Sequence, residues 1–229
     1  MRALVVEDDL ETVEAVSLIF KLRWPEVEFL STTKGSEAAP MVEKGVPDVV
    51  ILDLGLPDVD GIEVLKEIRA FSNVPILIVT ARGDSTSQVK GLELGADDYI
   101  AKPFDPGVLL ARIKNVITHG RITLDQAAAP FTAGSLMIDF ANRRVSFQEK
   151  PLDLTPTEYR LLCHMARNSG RILSHENILK TVWGEGYEQD ATVLKSCIYQ
   201  LRRKLVEAGA DSEIISSERG IGYKLITPH

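Results

Sequence analysis
Five residues of this 229-residue chain could do chemistry together: Glu7, Asp8, Asp53, Thr80 and Lys102. Asp53 follows the apolar run VVIL and opens DLGLPDVDG, where Gly, Pro and acidic residues take over. Glu7 and Asp8 follow ALVV, Thr80 ends ILIVT, and Lys102 follows YIA. Three carboxylates crowded together repel one another and raise each other's pKa, a conflict that a hard divalent cation with oxygen ligands relieves. Mg²⁺ is the expected occupant. A carboxylate beside such an ion, with a hydroxyl and an ammonium to neutralise phosphoryl oxygens, is a nucleophile toward a phosphoryl donor. Each residue taken singly has a plainer reading. Asp53 could simply open a turn with Pro57, Asp58 and Gly61, and Lys102 could be the counter-ion of a solvated acidic strand end. That account needs a coincidence at four separate strand ends.

Periodicity supplies the elements that would bring these residues together. Short apolar runs without polar alternation at 3–6, 49–52 and 74–81 read as strands buried on both faces of a parallel sheet. Weaker strands are expected at 27–30 and 99–101. Helical spacing covers Val13, Val16, Leu18, Ile19 and Leu22, then 35–44, 62–70 and 85–94, and finally 106–117 with Leu109, Leu110, Ile113 and Ile117 on one face. Five rounds of strand then helix predict an α/β domain over residues 1–120, a doubly wound five-stranded parallel sheet. In such a sheet the carboxyl ends of strands one, three, four and five share the edge where chemistry is placed.

Periodicity fails over 121–132, which reads as a linker. Residues 133–227 then predict a smaller α+β domain. Two strands lie within LMIDFANRRVSF. Thr155, Pro156 and Glu158 make a capping-box start for a helix whose inner stripe is Tyr159, Leu162, Cys163 and Ala166. A second helix runs from Ser174 to Gly184, and a third begins near Ala191 with Leu194, Ile198, Leu201 and Leu205 as its core stripe. Two short strands flank 218–222. Strands, three helices and a terminal hairpin make a winged helix-turn-helix, in which the third helix enters the DNA major groove. With its core stripe assigned, Thr192, Val193, Ser196, Tyr199, Gln200, Arg202 and Arg203 are left for other faces. Ser196 and Gln200 are expected to read base edges, and Arg202 and Arg203 to hold phosphates. Arg219 at the hairpin tip can enter a narrow minor groove. A solvated helix end is the plainer account of Arg202, Arg203 and Lys204.

Charge is divided unevenly between these halves. The chain carries a net −7, but residues 1–120 hold 12 basic and 20 acidic residues and the remainder 14 and 13. Overall acidity therefore does not exclude nucleic acid as a partner of the rear half. No apolar stretch approaches the 18 residues of a membrane span, and MRALVVEDD lacks the apolar core of a secretory signal, so a cytoplasmic location is expected. Cys163 and Cys197 sit in apolar-periodic segments and read as reduced thiols. The four histidines show no metal-ligand spacing.

The acidic pair, ILDLGLPDVDG, TA and GADDYIAKPF, in this order, resemble the receiver domain of two-component response regulators. From about residue 131, LTPTEYRLL, VWG, LRRKL and ERGIGY resemble the effector domain of OmpR/PhoB-type regulators, and VLKSCIYQLRRKL with ERGIGYKL is most similar to the KdpE branch. The resemblance implies that Asp53 is the phosphoacceptor, that Glu7, Asp8, Asp53 and the Gly55 carbonyl hold Mg²⁺, and that Lys102 precedes a cis proline. It also implies that Thr80 and Tyr99 are switch residues. A cytoplasmic, phosphorylation-controlled transcription factor is implied, a regulator and not an enzyme, with a sensor histidine kinase, tandem half-sites in double-stranded DNA and RNA polymerase as partners. The family's homodimer forms through the fourth helix, fifth strand and fifth helix. Here Val108 stands where the family has an acidic residue and Asn115 where it has a basic one. This leaves Arg112 with Asp97 or Asp98, and Lys90 without its usual partner. Two other classes fit parts of the chain: an unphosphorylated docking module, and an acidic phosphohydrolase. The latter needs a general base beside Asp53, and no histidine stands near a strand end.

Overall fold
The computed structural model describes residues 1–81, 85–118, 129–184, 186–187 and 190–226, so most of the expected linker, 121–128, lies outside the described residues. The chain divides into two compact units, 1–118 and 119–229.

In the first unit the strands β1 (Arg2–Val6), β2 (Glu28–Thr32), β3 (Val49–Leu52), β4 (Ile76–Thr80) and β5 (Asp98–Ala101) form one parallel sheet in the order β2-β1-β3-β4-β5. Between and after them run α1 (Leu10–Arg23), α2 (Ala38–Gly45), α3 (Gly61–Arg69), α4 (Ser85–Glu93) and α5 (Pro106–Thr118). The uninterrupted apolar runs are buried on both faces, as their lack of alternation requires. Ala3, Val5, Val49, Ile51, Leu77, Val79 and Ile100 pack against Val16, Ile19 and Phe20 of α1 and Leu109, Ile113 and Val116 of α5. Helix starts are written locally. Asp9 caps α1 by accepting from Glu11 N at 3.1 Å, and Asp60 caps α3 by accepting from Ile62 N at 3.0 Å. Pro40 is tolerated in α2 because it falls in the first turn, where an N–H has no partner within the helix. β2 begins later than its own apolar pattern suggests. Its length is set by pairing along β1, from Arg2 opposite Glu28 to Val6 opposite Thr32.

The second unit is a winged helix. β6 (Phe131–Ala133), β7 (Leu136–Asp139), β8 (Arg144–Phe147) and β9 (Lys150–Pro151) form an antiparallel sheet. The helices α6 (Pro156–Arg167), α7 (His175–Val182) and α8 (Ala191–Glu207) follow. Thr155 and Glu158 make the expected reciprocal capping box on α6. That helix is buried on more sides than its apolar stripe predicts, because α7, α8 and β12 all pack on it. The terminal hairpin of β11 (Ile215–Glu218) and β12 (Gly222–Leu225) gains a third strand, β10 (Leu173–Ser174), beside β12. Two-residue strands such as β9 and β10 have no periodicity to read; their partners create them. Neither cysteine is in a disulfide, and burial pushes the Cys163 thiol up to about 11. Among the described residues no helix is long and apolar enough to cross a membrane.

Candidate functional site
β1 and β3 are neighbours with Val6 opposite Leu52, so Glu7 and Asp53 leave the sheet side by side, and Asp53 N donates to Val6 O at 2.9 Å. β4 and β5 pair with Thr80 opposite Ala101, and Lys102 N donates to Thr80 O at 2.8 Å. From there Lys102 Nζ reaches both carboxylates, bonding Glu7 Oε1 at 2.7 Å and Asp53 Oδ2 at 2.7 Å. Glu7, Asp8 and Asp53 offer ligand oxygens that all lie within 4.8 Å of one another. Glu7 and Asp53 are buried, and Asp8 is exposed. Asp9, the remaining acid of the run, is occupied as the α1 cap and by the Thr12 hydroxyl at 2.6 Å. The two oxygens of Asp53 are held separately, Oδ2 by Lys102 and Oδ1 by Gly55 N at 2.9 Å. Gly61 lets α3 start directly against this strand end, since a Cβ there would lie 2.3 Å from Asp53 O. The Lys102–Pro103 peptide is cis.

Burial pushes Glu7 from 4.5 up to about 7, only partly countered by the hydrogen bond from Lys102 and reinforced by the charge of Asp53. Desolvation alone would lower the Lys102 pKa, but its bonds to Asp53 and Glu7 outweigh this and raise it. The ammonium therefore stays charged between two acids. An all-oxygen donor set with surplus negative charge suits a hard cation of the Mg²⁺ type.

Thr80 is fully buried at the same edge, and Tyr99 is half-buried with the Arg112 guanidinium 5.7 Å over its ring. Three of the charges expected at a dimer face, Asp97, Asp98 and Arg112, are engaged within the chain. Arg112 Nη1 bonds Asp98 at 2.6 Å, and Asp97 accepts from Arg69 at 3.1 Å and from Ile76 N at 3.0 Å. Asp97 is thereby a buried structural acid that braces the start of β4, which sequence spacing could not distinguish from a surface charge. Lys90 and Val108 are exposed.

On α8 two expectations are corrected. Ser196 and Gln200 are 5% and 3% exposed, so neither stands on an open face. The helix buries far more than the stripe of Leu194, Ile198, Leu201 and Leu205; Lys195, Tyr199 and Arg203 are exposed at spacings of four, with Thr192 half-buried beside them and Val206 and Glu207 exposed at the helix end. Lys195 was missed in the sequence, although it lies one helical turn before Tyr199. Arg202 is corrected as well: its Nη2 donates to Ile215 O at 2.6 Å and Ser217 Oγ at 3.2 Å, tying α8 to β11. Lys204, which the plainer account left in solvent, pairs with the buried Glu158 at 2.7 Å. Among the described residues Arg203 pairs with Glu207, at 3.6 Å, and Arg219 is exposed between β11 and β12.

Comparison with known proteins agrees with this geometry. Residues 3–114 match the model of the response regulator receiver domain, and 149–225 that of the transcriptional regulatory protein, C terminal. The chain is 36% identical over 226 residues to the transcriptional regulatory protein AfsQ1 of Streptomyces coelicolor, covering 98% of each. To the transcriptional regulatory protein KdpE of Mycobacterium tuberculosis it is 34% identical over 221 residues, 96% of this chain and 97% of that one. The chain belongs to the OmpR/PhoB family of two-component response regulators. A solved structure of a RitR mutant, 24% identical over 99% of both chains with a TM-score of 0.76, shares its fold. This response regulator is a DNA-binding transcription factor whose receiver domain is regulated by phosphorylation. The acidic cluster overturns the expectation that it is no enzyme. Receiver domains catalyse phosphoryl transfer to one of their own aspartates, and in this one Glu7, Asp8 and Asp53 form an acidic cluster that could hold a metal ion.

Proposed function
We propose that Asp53 accepts a phosphoryl group from a sensor histidine kinase and that the change is read out as altered binding of the second unit to tandem DNA half-sites. The observation that carries this reading is the Lys102 ammonium between Glu7 and Asp53, with Asp8 beside them. Glu7, Asp8, Asp53 and the Gly55 carbonyl would hold Mg²⁺, which when bound supplies charge to neutralise phosphoryl oxygens. Gly55 N orients the Asp53 carboxylate. Lys102 and the Thr80 hydroxyl stabilise negative charge on the incoming group, and Tyr99 turns as Thr80 moves. The exposed leucines of α1, Leu10, Leu18 and Leu22, supply an apolar face for the kinase on the helix that begins beside this cluster. The active form pairs through α4, β5 and α5.

On the second unit Lys195, Tyr199 and Arg203, flanked by Thr192, face the major groove, and Arg219 approaches the minor groove. RNA polymerase is the further partner of the DNA-bound form. Incubation with Mg²⁺ and acetyl phosphate should add one labile phosphoryl group by intact mass and none to Asp53→Asn. Equal labelling of Asp53→Asn refutes the assignment.

A further inference from the structure
The loop that leaves Asp53 is tied at its start by Gly55 N on Asp53 Oδ1 and at its end by Gly61 N, which donates to Leu54 O at 3.2 Å. Its middle is tied to a different part of the chain. Asp58 Oδ1 accepts from Gly35 N at 2.9 Å, and Oδ2 accepts from Ser36 N at 3.1 Å and from Ser36 Oγ at 2.7 Å. Gly35 and Ser36 open the 3-10 turn Gly35–Glu37 between β2 and α2, whose first N–H groups lack partners of their own. A local cap would be the simplest remedy, yet Lys34 at the cap position makes no side-chain capping hydrogen bond. The acceptor comes instead from 23 residues downstream, out of the loop beside the phosphoacceptor. The two segments also touch closely. A Cβ on Gly35 would stand 2.4 Å from Val59 Cγ1 and 2.9 Å from Leu56 Cδ1. The Ser36 hydroxyl, then the backbone N–H groups of Ser36 and Gly35, hold the Asp58 carboxyl down to about 2, so the tie is ionic at any physiological pH.

We propose that Asp58 is a positioning residue for phosphoryl transfer: by clamping the β3–α3 loop to Gly35 and Ser36 it fixes Gly55, whose N–H orients Asp53 and whose carbonyl completes the Mg²⁺ ligands. The inference rests on the assignment of Asp53 as phosphoacceptor. Gly55, Pro57 and Asp58 are exposed, so between the buried Leu54 and the α3 cap the loop is restrained by these hydrogen bonds together with the packing of Leu56 and Val59 against Gly35. A small displacement at Gly55 misplaces both the attacking oxygen and a metal ligand, and reactions of this kind are sensitive to shifts of about 1 Å.

The test uses the full chain with Mg²⁺ and acetyl phosphate, following the initial rate of phosphoryl addition by intact mass against Mg²⁺ concentration, with thermal unfolding of every variant alongside. Asp58→Ala should raise the Mg²⁺ concentration for half-maximal rate roughly tenfold, the scale for losing a group that orients a metal ligand, while its melting temperature stays near the parent's. Asp58→Asn, which keeps one acceptor for Gly35 N, should recover part of the loss, and Ser36→Ala should lose least. Gly35→Ala displaces the loop from the other side with Asp58 intact, and should shift the Mg²⁺ dependence in the same direction. If Asp58→Ala does not fold, Asp58→Asn and Gly35→Ala carry the comparison. A lower melting temperature with unchanged Mg²⁺ dependence would reduce Asp58 to a remote helix cap and overturn the proposal, as would variants that match the parent in both. A parent protein that takes up no label overturns the Asp53 assignment itself, and this proposal with it.

Discussion

The open face of α8 makes a quantitative prediction about which side chains read DNA. Lys195 and Arg203 are eight residues apart, which at 1.5 Å per residue is about 12 Å along the helix. At about 3.4 Å per nucleotide step this stripe spans three to four base pairs, with Tyr199 at its centre. Truncating Lys195 or Tyr199 to Ala should cost roughly 1 to 3 kcal/mol on the duplex that the parent binds most tightly, if the contact is to a base edge. In affinity that is about fivefold to 150-fold. Arg203→Ala should weaken preferred and scrambled duplexes alike and flatten the salt dependence by about one unit, as for a phosphate contact.

Gln200 should behave in the opposite way. It is 3% exposed, and its buried Nε2 has no hydrogen-bond partner among the described residues. Gln200→Met keeps the volume while removing an unsatisfied amide, so it should stabilise the fold by about 1 kcal/mol and leave base preference untouched. Binding isotherms on both duplexes at several salt concentrations, with melting curves, make the comparison. A Gln200→Met protein that loses base preference, beside Lys195 and Tyr199 variants that keep it, would refute the assignment of the DNA-facing side of α8.

Three further outcomes are expected. Lys102→Met removes the ammonium between Glu7 and Asp53; calorimetric Mg²⁺ binding should persist, while the initial rate of labelling by acetyl phosphate falls roughly a hundredfold. Because the folded pKa of Glu7 is raised from 4.5 to about 7, the folded state binds the extra proton in that window, so the melting temperature of the metal-free protein should fall as pH rises through it. Glu7→Gln should flatten that slope, and a slope unchanged in the variant assigns the titration elsewhere. Val46, a β-branched residue at φ 43° and 76% exposed, ends α2 in the left-handed region; Val46→Asn should stabilise the protein by about 1 kcal/mol in denaturant titration, with no loss of packing.

Much of this molecule is determined by local pattern. Apolar runs without alternation dictated the buried strands β1, β3 and β4, and strand ends dictated where Glu7, Asp53, Thr80 and Lys102 could stand, because a doubly wound sheet leaves its carboxyl edge open. The caps at Asp9, Asp60 and Thr155, and at Ser174, whose hydroxyl accepts from Asn177 N at 3.2 Å, act within a turn of their own residues, so they too are legible before folding. Tertiary packing decided the rest. A helix stripe is visible in a sequence only as its most apolar residues, whereas burial depends on what lies opposite, and so Ser196 and Gln200 are covered although their polarity placed them outside. Arg202 and Lys204 found partners in β11 and α6, which no spacing along α8 could indicate, and Asp97 found Arg69. The two-residue strands β9 and β10 exist only through their neighbours. The clamp from Asp58 to Gly35 and Ser36 is of the same kind: each residue has an ordinary turn composition, and only the fold brings an acceptor in one loop to the unpaired N–H groups of another.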